Sequence, residues 1–380
     1  MAENCLKFKS YFNFIWITIV LISFSNVLIF SSILKLNNLN SKKDRLDNLS
    51  EDIPNKFNLE IGKNFRDFAG LGYITNQAAM EQITEINKKS NKNKTKISNL
   101  FRRLFEEQGW EHVVTKTYSK IQDFSFTIIK NLKFKKMIFS FSGTRTLYQL
   151  TNQIVKSNSV PFKNHIRYIR LMRYFWDLNK KIKDDLQYYL KIHKNPAITQ
   201  YIFTGHSLGG AIASVSLFDN MQENLLPRTS ISPVLITYGS PRIGNYAFAN
   251  ELMKLIPIVF RIVNKYDLVP NVPMCEKIDR KCISEFGKKE FDKNFYDYKR
   301  IHDNLPNDKK EKFYPYHFGG LILVKDENNF MDCTTKSEVD ENDPCSKGYL
   351  PFPKYHTTYF GSKISNTKNP LFSKYDNPIV

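Results

Sequence analysis

Apolar positions along the chain predict strands that alternate with helices. Two β-prone runs, residues 124–129 and 136–141, lie close together and predict an antiparallel pair. Three further apolar runs, residues 201–204, 234–238 and 258–263, have the length of buried strands and are separated by helical stretches. This alternation predicts an α/β fold with a central, mainly parallel sheet that carries helices on both faces.

Apolar residues at helical spacing predict two long helices. One covers residues 60–87. The other covers residues 165–193, which contain neither glycine nor proline and end shortly before Pro196. A shorter helix is predicted at residues 101–110 and a strand at residues 316–324. These elements complete the layers of the predicted domain.

The N-terminal region has the pattern of a targeting segment. Residues 11–34 contain no charged side chain and follow a short leader with two lysines. Ser23 and Ser25 have the small-x-small spacing of a cleavage site, whereas the whole run is long enough to span a bilayer. We therefore expect residues 1–35 to be a signal peptide or a signal anchor. The protein is then secreted or lumenal or, alternatively, a single-pass membrane protein.

The rest of the chain is predicted to form one domain with irregular flanks. Residues 36–59 are polar and predict a stalk, residues 60–362 predict the domain itself, and residues 363–380 predict a C-terminal tail. Residues 276–312 are dense in charges of both signs and have few aliphatic side chains, which predicts a solvated insertion.

Composition limits the possible partners. The chain has 380 residues, of which 42% are hydrophobic, so it can bury a large core. A net charge of +19 favours anionic lipid surfaces or nucleic acid. Lys and Asn are abundant everywhere, and the charges show no groove-following pattern with interleaved aromatic residues, so we expect no nucleic-acid partner.

Cysteine usage fits an oxidising compartment. Cys5 lies in the leader, and the other cysteines form two local pairs, Cys275 with Cys282 and Cys333 with Cys345. Pairing of neighbours would close short loops, as in secreted proteins, although other connectivities and reduced thiols remain possible. The sequence has no Cys-x-x-Cys and no histidine cluster near these cysteines, which argues against a metal site.

The segment of residues 203–210 carries the strongest chemical signal. It contains Gly205, Ser207 and Gly209 in a Gly-x-Ser-x-Gly pattern, between an apolar run and the helical residues 211–218. Strand, sharp turn and helix are the context of a nucleophile elbow, in which only very small residues fit two positions either side of the serine. Ser207 is therefore the candidate nucleophile.

A serine nucleophile needs a histidine base and a carboxylate that orients it. Elbow enzymes place them in the order Ser, acid, His. Asp267 follows the strand at residues 258–263 and so reaches the carboxyl edge of the sheet. Of the later histidines, His302 lies in the charged insertion, His317 runs into a strand, and His356 lies on a loop beyond the last strand. Asp267 and His356 are the preferred acid and base.

An oxyanion site needs two hydrogen-bond donors. The backbone N–H of Leu208, which follows the candidate nucleophile, is one. Thr144, after the strand that ends near Gly143, fits the other. His206 points elsewhere by geometry, and we expect it to support the site.

Four ordered segments resemble the class 3 lipases, a fungal-type triacylglycerol lipase family, over roughly residues 60–362. They are Gly205-His-Ser-Leu-Gly-Gly210, Tyr238-Gly-Ser-Pro-Arg-Ile-Gly-Asn245, Arg261-Ile-Val-Asn-Lys-Tyr-Asp-Leu-Val-Pro270 and His356-Thr-Thr-Tyr-Phe-Gly361. The resemblance implies an α/β-hydrolase fold, with Ser207, Asp267 and His356 as the triad and Thr144 with Leu208 as the oxyanion donors.

The resemblance has further implications and two departures. It implies a helical lid at residues 145–156, a disulfide loop from Cys333 to Cys345, and a structural role for His317. Ser142 stands where the family often has arginine, and residues 276–312 exceed the usual connection between acid and histidine.

The expected function is therefore serine-dependent hydrolysis of acylglycerol esters through an acyl-enzyme, from triacylglycerol to fatty acid and diacylglycerol. The alternatives are a phospholipase A1, a mono- or diacylglycerol lipase, and, in a different class, an inactive membrane-tethered lipid-binding protein. We expect a monomer that meets its lipid ester at a membrane or emulsion surface, with no metal or organic cofactor.

Overall fold

The computed structural model describes residues 52–74, 76–87, 101–119, 124–144, 158–163, 166–273, 277–278, 281–282, 315–334, 345 and 353–364. The chain divides into the units Met1–Glu51 and Asp52–Val380, and all described residues belong to the second. The predicted leader, the predicted lid, and most of the charged insertion and of the tail lie outside the described residues. Among the described residues, no helix combines the length and the apolar character needed to cross a bilayer.

An eight-stranded sheet forms the centre of the domain. Its strands are β1 (Glu111–Tyr118), β2 (Phe124–Asn131), β3 (Lys136–Phe141), β6 (Gln200–His206), β7 (Val234–Tyr238), β8 (Ile258–Asn264), β11 (Leu321–Val324) and β12 (Phe330–Cys333), in the order β1-β2-β3-β6-β7-β8-β11-β12. The middle strands from β3 to β11 run parallel, whereas β1, β2 and β12 pair antiparallel with their neighbours. The predicted parallel centre and the predicted antiparallel pair β2–β3 are confirmed.

The remaining elements are helices and short hairpins. The helices are α1 (Leu59–Leu71), α2 (Asn76–Asn87), α3 (Arg173–Ile192), α4 (Leu208–Gln222), α5 (Tyr246–Leu255) and α6 (Pro353–Thr357), with a π-helical segment at Arg102–Glu107 and a 3-10 turn at Val269–Asn271. The hairpins are β4 (Ser159–Lys163) with β5 (Ile166–Met172), β9 (Lys277–Ile278) with β10 (Lys281–Cys282), and β13 (Thr358–Tyr359) with β14 (Ser362–Lys363).

Helices α1 and α4 cover opposite faces of the sheet. Ser140 on β3 donates its hydroxyl proton to the carbonyl of Phe68 in α1 at 2.6 Å. Its neighbours Phe139 and Phe141 belong instead to the apolar cluster that includes α4. Successive side chains of a strand point to opposite faces, so the sheet is wound on both sides, as the sequence predicts.

The predicted helix over residues 60–87 is wrong in one respect, because it is two helices. The chain turns at Gly72, where an added Cβ would lie 2.4 Å from the carbonyl carbon of Phe141. The hydroxyl of Ser125 donates to the Gly72 carbonyl at 2.6 Å and so satisfies a backbone group that a continuing helix would use. Contact with the sheet overrides the helical periodicity here.

The predicted helix over residues 165–193 is wrong in its first third. Residues Ile166–Met172 form β5, and the helix begins at Arg173. The Arg170 carbonyl accepts from Asn245 N–H at 3.0 Å, and Met172 N–H donates to Ile243 at 2.8 Å. These partners are distant in sequence, and periodicity within residues 165–193 cannot reveal them.

The packed domain begins before residue 60. Ile53 and Phe57, within the predicted stalk, are buried at 4% and 3% exposure. Gln200 accepts a hydrogen bond from Ile53 N–H at 2.9 Å, which fixes this segment at the amino end of β6. The sequence also fails to predict edge strands β1 and β12, whose side chains are mostly half-exposed.

Candidate active site

Ser207 occupies a strained turn between β6 and α4. Its backbone has φ 60° and ψ −126°, a sparsely populated conformation that costs about 1–3 kcal/mol and persists only where the surroundings impose it. Its N–H donates to the Tyr238 carbonyl on β7 at 2.8 Å, which fixes the turn at the carboxyl edge of the sheet. Ser207 therefore stands at the N-terminus of α4, where unpaired N–H groups favour negative charge.

The turn leaves no space for side chains on its flanking glycines. A Cβ at Gly205 would lie 2.4 Å from the carbonyl carbon of Gly209, and a Cβ at Gly209 would lie 2.0 Å from the carbonyl oxygen of Phe141. Both obstacles are backbone atoms, which cannot move without distorting β3 or α4. The small residues that the elbow pattern requires are therefore present for a steric reason.

We predict that Gly209→Ala destabilises the protein although alanine is the better helix former. The new methyl group must displace β3, so the free energy of unfolding should fall by roughly 1–3 kcal/mol. Urea unfolding measures this. The matched control is Gly319→Ala, whose Cβ would meet the flexible end of Met253 at 3.2 Å and the Thr334 carbonyl oxygen at an ordinary contact distance of 3.5 Å. Equal stability of the two variants would contradict the packing argument.

Asp267 follows β8 and is completely buried, and its carboxylate accepts hydrogen bonds from three donors. His356 Nδ1 lies 3.0 Å from Oδ1 and 2.9 Å from Oδ2. The Tyr359 hydroxyl donates to Oδ2 at 2.7 Å, and Val269 N–H donates to Oδ1 at 2.9 Å. Burying an ionised carboxylate is costly unless it is hydrogen-bonded, so these donors stabilise the charge and fix the plane of the carboxyl group.

His356 lies on α6 and is 6% exposed. Because its Nδ1 faces a carboxylate, which only accepts, Nδ1 carries the ring proton and Nε2 carries the lone pair. Nε2 is buried and has no hydrogen-bond partner in the part of the chain that the structure describes. The ring is therefore held in the tautomer that can take up a proton at Nε2.

His206 links the turn to His356. Its Nε2 lies 2.8 Å from the His356 carbonyl oxygen, its Nδ1 lies 2.6 Å from the Tyr73 hydroxyl, and the two imidazole centroids are 4.5 Å apart. Burial, and then the neighbouring His356, hold the pKa of His206 well below its ordinary value, so this ring is neutral. The supporting position predicted for His206 agrees with these contacts.

Gly239, Tyr359 and Tyr73 also belong to the site, although none of them is among the candidates that the sequence predicts. Gly239 has φ 56°, and an added Cβ would lie 2.7 Å from Asp267 Oδ2 and 3.1 Å from His356 Cε1. Gly239 and Tyr359 fall inside recognised motifs, which is a usable signal. Tyr73 has no such signal, because its partner His206 is 133 positions away.

The two predicted oxyanion donors belong to different segments of the chain. Leu208 is the first residue of α4 and is buried, and Thr144 follows β3. Ser142, where the resemblance predicts arginine more often, anchors this loop to β2. Its hydroxyl accepts from Ser125 N–H at 2.8 Å, and its own N–H donates to the Ser125 carbonyl at 2.9 Å.

The other predicted residues lie apart from this cluster or outside the described ranges. His317 is buried, and its Nε2 lies 2.5 Å from the Pro270 carbonyl, a structural contact. Cys333 and Cys345 form a disulfide with Cα atoms 6.1 Å apart. His302 and Cys275 are outside the described residues. Within the described ranges, no three His, Cys, Asp or Glu side chains are grouped closely enough to hold a metal ion.

Together these groups suit nucleophilic attack on a carbonyl carbon. The structure joins Asp267 to His356 directly and sets Ser207 next to His206, whose ring contacts His356. A hydroxyl at a helix N-terminus, an imidazole with an open nitrogen, and a buried carboxylate are the parts of a proton-transfer chain from nucleophile to base.

Comparison with known proteins gives one family. The model of the family described as Lipase (class 3) matches residues 138–277, which include Ser207 and Asp267 and stop before His356. The chain is similar to phospholipase A1-Igamma2, chloroplastic, of Arabidopsis thaliana, at 44% identity over 73 residues. It is also similar to a lipase of Rhizomucor miehei, at 43% identity over 162 residues.

These matches are partial. They cover 18% of this chain and 14% of the Arabidopsis protein, and 42% of this chain and 34% of the Rhizomucor protein. A solved structure of a lipase from Rhizopus microsporus var. chinensis superposes with a TM-score of 0.53 at 20% identity, covering 79% of this chain and 87% of the other. The fold is therefore that of an α/β-hydrolase.

Proposed function

Because residues 138–277 match the model of the family described as Lipase (class 3), we propose that this chain belongs to that family and is a serine-dependent hydrolase of carboxylic esters in acylglycerols. Its preferred reaction would convert triacylglycerol to fatty acid and diacylglycerol. The observation that carries the proposal is the pair of His356 and buried Asp267, 2.9 Å apart, with Nε2 of His356 left open.

The proposed reaction has two halves. His356 Nε2 takes the hydroxyl proton of Ser207 while the serine oxygen attacks the ester carbonyl, and the tetrahedral oxyanion accepts hydrogen bonds from Leu208 N–H and from Thr144. His356 then gives its proton to the departing alcohol, which leaves an acyl group on Ser207. In the second half, His356 takes a proton from water, which attacks the acyl carbonyl. The bond to Ser207 then breaks, His356 returns the proton to the serine oxygen, and the fatty acid is released. Asp267 keeps the imidazole oriented and stabilises its protonated form throughout.

A phospholipase A1 is the second candidate. The local similarity to the Arabidopsis phospholipase A1 supports it, and the net charge of +19 favours an anionic lipid surface. A mono- or diacylglycerol lipase would use the same groups. A catalytically inactive lipid-binding protein is the candidate from another class. The hydrogen bonds that hold the Asp267 carboxylate against His356 argue against it, because an inactive protein has no need of them.

We also propose that the protein works as a monomer in a secretory compartment or outside the cell. The Cys333–Cys345 disulfide favours an oxidising environment, and the apolar run at residues 11–34 has the composition of a secretory signal or anchor.

One experiment tests these proposals together. Protein recovered from culture medium is divided: one portion is treated with a fluorophosphonate, and an untreated portion is offered emulsified triolein, diolein, and vesicles of phosphatidylcholine or phosphatidylserine. We expect labelling at Ser207 and fastest hydrolysis of triolein. Faster hydrolysis of the vesicles would replace the first candidate by the second. Folded protein that is neither labelled nor active on any lipid would leave only the binding protein.

A further inference from the structure

The hydroxyl of Tyr73 lies where three loops of the site meet. Tyr73 belongs to the turn between α1 and α2, and its oxygen lies 2.6 Å from Nδ1 of His206. The N–H of Gly143, in the loop that carries Thr144, is near enough to the same oxygen to lower the pKa of the Tyr73 hydroxyl, against the larger and opposite effect of burial. Tyr73 thus touches the predicted oxyanion loop and the residue before Ser207 at once.

The direction of each hydrogen bond follows from its partners. A carbonyl oxygen only accepts, so Nε2 of His206 carries the proton that it donates to His356 at 2.8 Å. Nδ1 of His206 is then the acceptor, and Tyr73 must donate to it. Burial raises the pKa of the Tyr73 hydroxyl, which keeps this proton in place. The oxygen of Tyr73 remains able to accept from Gly143.

The atoms around Gly143 are closely packed. A Cβ at Gly143 would lie 2.1 Å from the Tyr73 hydroxyl oxygen and 2.7 Å from the carbonyl oxygen of His206. The loop after β3 is therefore in direct contact with the elbow, and the Tyr73 hydroxyl packs against Gly143 at this contact. Loss of the hydroxyl would free the Gly143 N–H and let the loop shift.

We propose that Tyr73 is a positioning residue, which acts through Gly143 and His206 to keep the oxyanion loop, the nucleophile turn and the backbone of His356 in register. This inference rests on the function proposed above. Oxyanion donors act only where their N–H groups already point at the developing charge, so a small displacement weakens the transition state more than it weakens substrate binding.

The test compares two tyrosine-to-phenylalanine variants. Tyr73→Phe removes the shared hydroxyl. Tyr118→Phe is the matched control, because Tyr118 lies on the outer strand β1 and its hydroxyl donates to Asp185 of helix α3 at 2.5 Å, away from the site. On a soluble short-chain ester, kcat of Tyr73→Phe should fall by about 10- to 100-fold with little change in KM, as expected for loss of interactions made only in the transition state. The control should keep the wild-type kcat.

Two further readouts separate positioning from general loss of stability. A trifluoromethyl ketone should lose affinity by the same factor as kcat, because the serine oxygen adds to its carbonyl carbon and turns the carbonyl oxygen into an oxyanion. The Gly143 amide should exchange its hydrogen faster in Tyr73→Phe than in wild type or in Tyr118→Phe. Combining Tyr73→Phe with His206→Asn should slow the reaction less than the product of the two single effects, because both variants break the same hydrogen bond.

The outcomes distinguish this inference from the function on which it rests. If the wild type is labelled by fluorophosphonate and hydrolyses esters, but Tyr73→Phe keeps its kcat and its inhibitor affinity, Tyr73 has no positioning role. If the folded wild type is neither labelled nor active, the proposed function fails, and with it the catalytic role of Tyr73, whatever the exchange rate of Gly143.

Discussion

Replacing Ser207 by alanine is expected to lower kcat for ester hydrolysis by about 10⁶-fold, since removal of the nucleophile from a Ser-His-Asp site leaves only the contribution of binding and the oxyanion donors. The variant should fold normally, because alanine is smaller than serine and the turn is held by backbone contacts such as Ser207 N–H to Tyr238. Initial rates on a soluble ester, together with fluorophosphonate labelling, measure the effect.

Ser214→Ala is the matched control for this prediction. Ser214 is another buried serine of α4, and its hydroxyl donates only to the Gly210 carbonyl one turn earlier, at 2.8 Å. Its removal costs a local helix contact and leaves the reacting groups in place. Wild-type activity is expected in this variant. Activity that survives in Ser207→Ala would assign the nucleophile to another residue and end the proposed mechanism.

The elements around Ser207 could be predicted because their signals are local. A buried strand, two glycines at fixed spacing and a helix of small residues lie within one short stretch, and the steric need for Gly205 and Gly209 follows from the turn alone. The β7 and β8 strands are likewise short apolar runs bounded by polar residues.

The helix predictions from the sequence are wrong where contacts with distant residues decide the local structure. Strand β5 reads as helix in the sequence, yet it pairs with β4 and with residues near Asn245. The α1–α2 break at Gly72 depends on the approach of Phe141 from β3. Propensity over a short window is a weak constraint, and tertiary hydrogen bonds override it at both places.

In the site, too, local motifs could be predicted from the sequence, whereas contacts between distant residues could not. The candidates Ser207, Asp267 and His356 follow from motif order along the chain. Their supports do not, because Tyr73 reaches His206 across 133 positions and Arg66 reaches the carbonyl of Tyr359 across 293 positions. Such contacts exist only after the chain has folded, so no local pattern records them.

Replacing Asp267 by asparagine is the second large effect that we expect, with kcat about 10⁴-fold lower and the geometry retained. The loss follows from the hydrogen bonds around residue 267. Val269 N–H, 2.9 Å from Oδ1, needs an acceptor, so the amide oxygen of asparagine takes that position and its NH₂ group takes the position of Oδ2. That NH₂ group then faces Nδ1 of His356, which lies 2.9 Å away.

An N–H donor at this distance requires a lone pair on Nδ1, so the proton of the imidazole moves to Nε2 and His356 can no longer take the proton of Ser207. Tyr359→Phe is the graded comparison, because it removes the 2.7 Å hydrogen bond to Oδ2 but leaves the carboxylate that fixes the tautomer. Its kcat should fall by about 10- to 100-fold, in line with the loss of one hydrogen bond to a charged group. Steady-state rates and the rate of fluorophosphonate labelling should fall together in Asp267→Asn. A loss no larger than that of Tyr359→Phe would mean that the carboxylate does not set the state of the base.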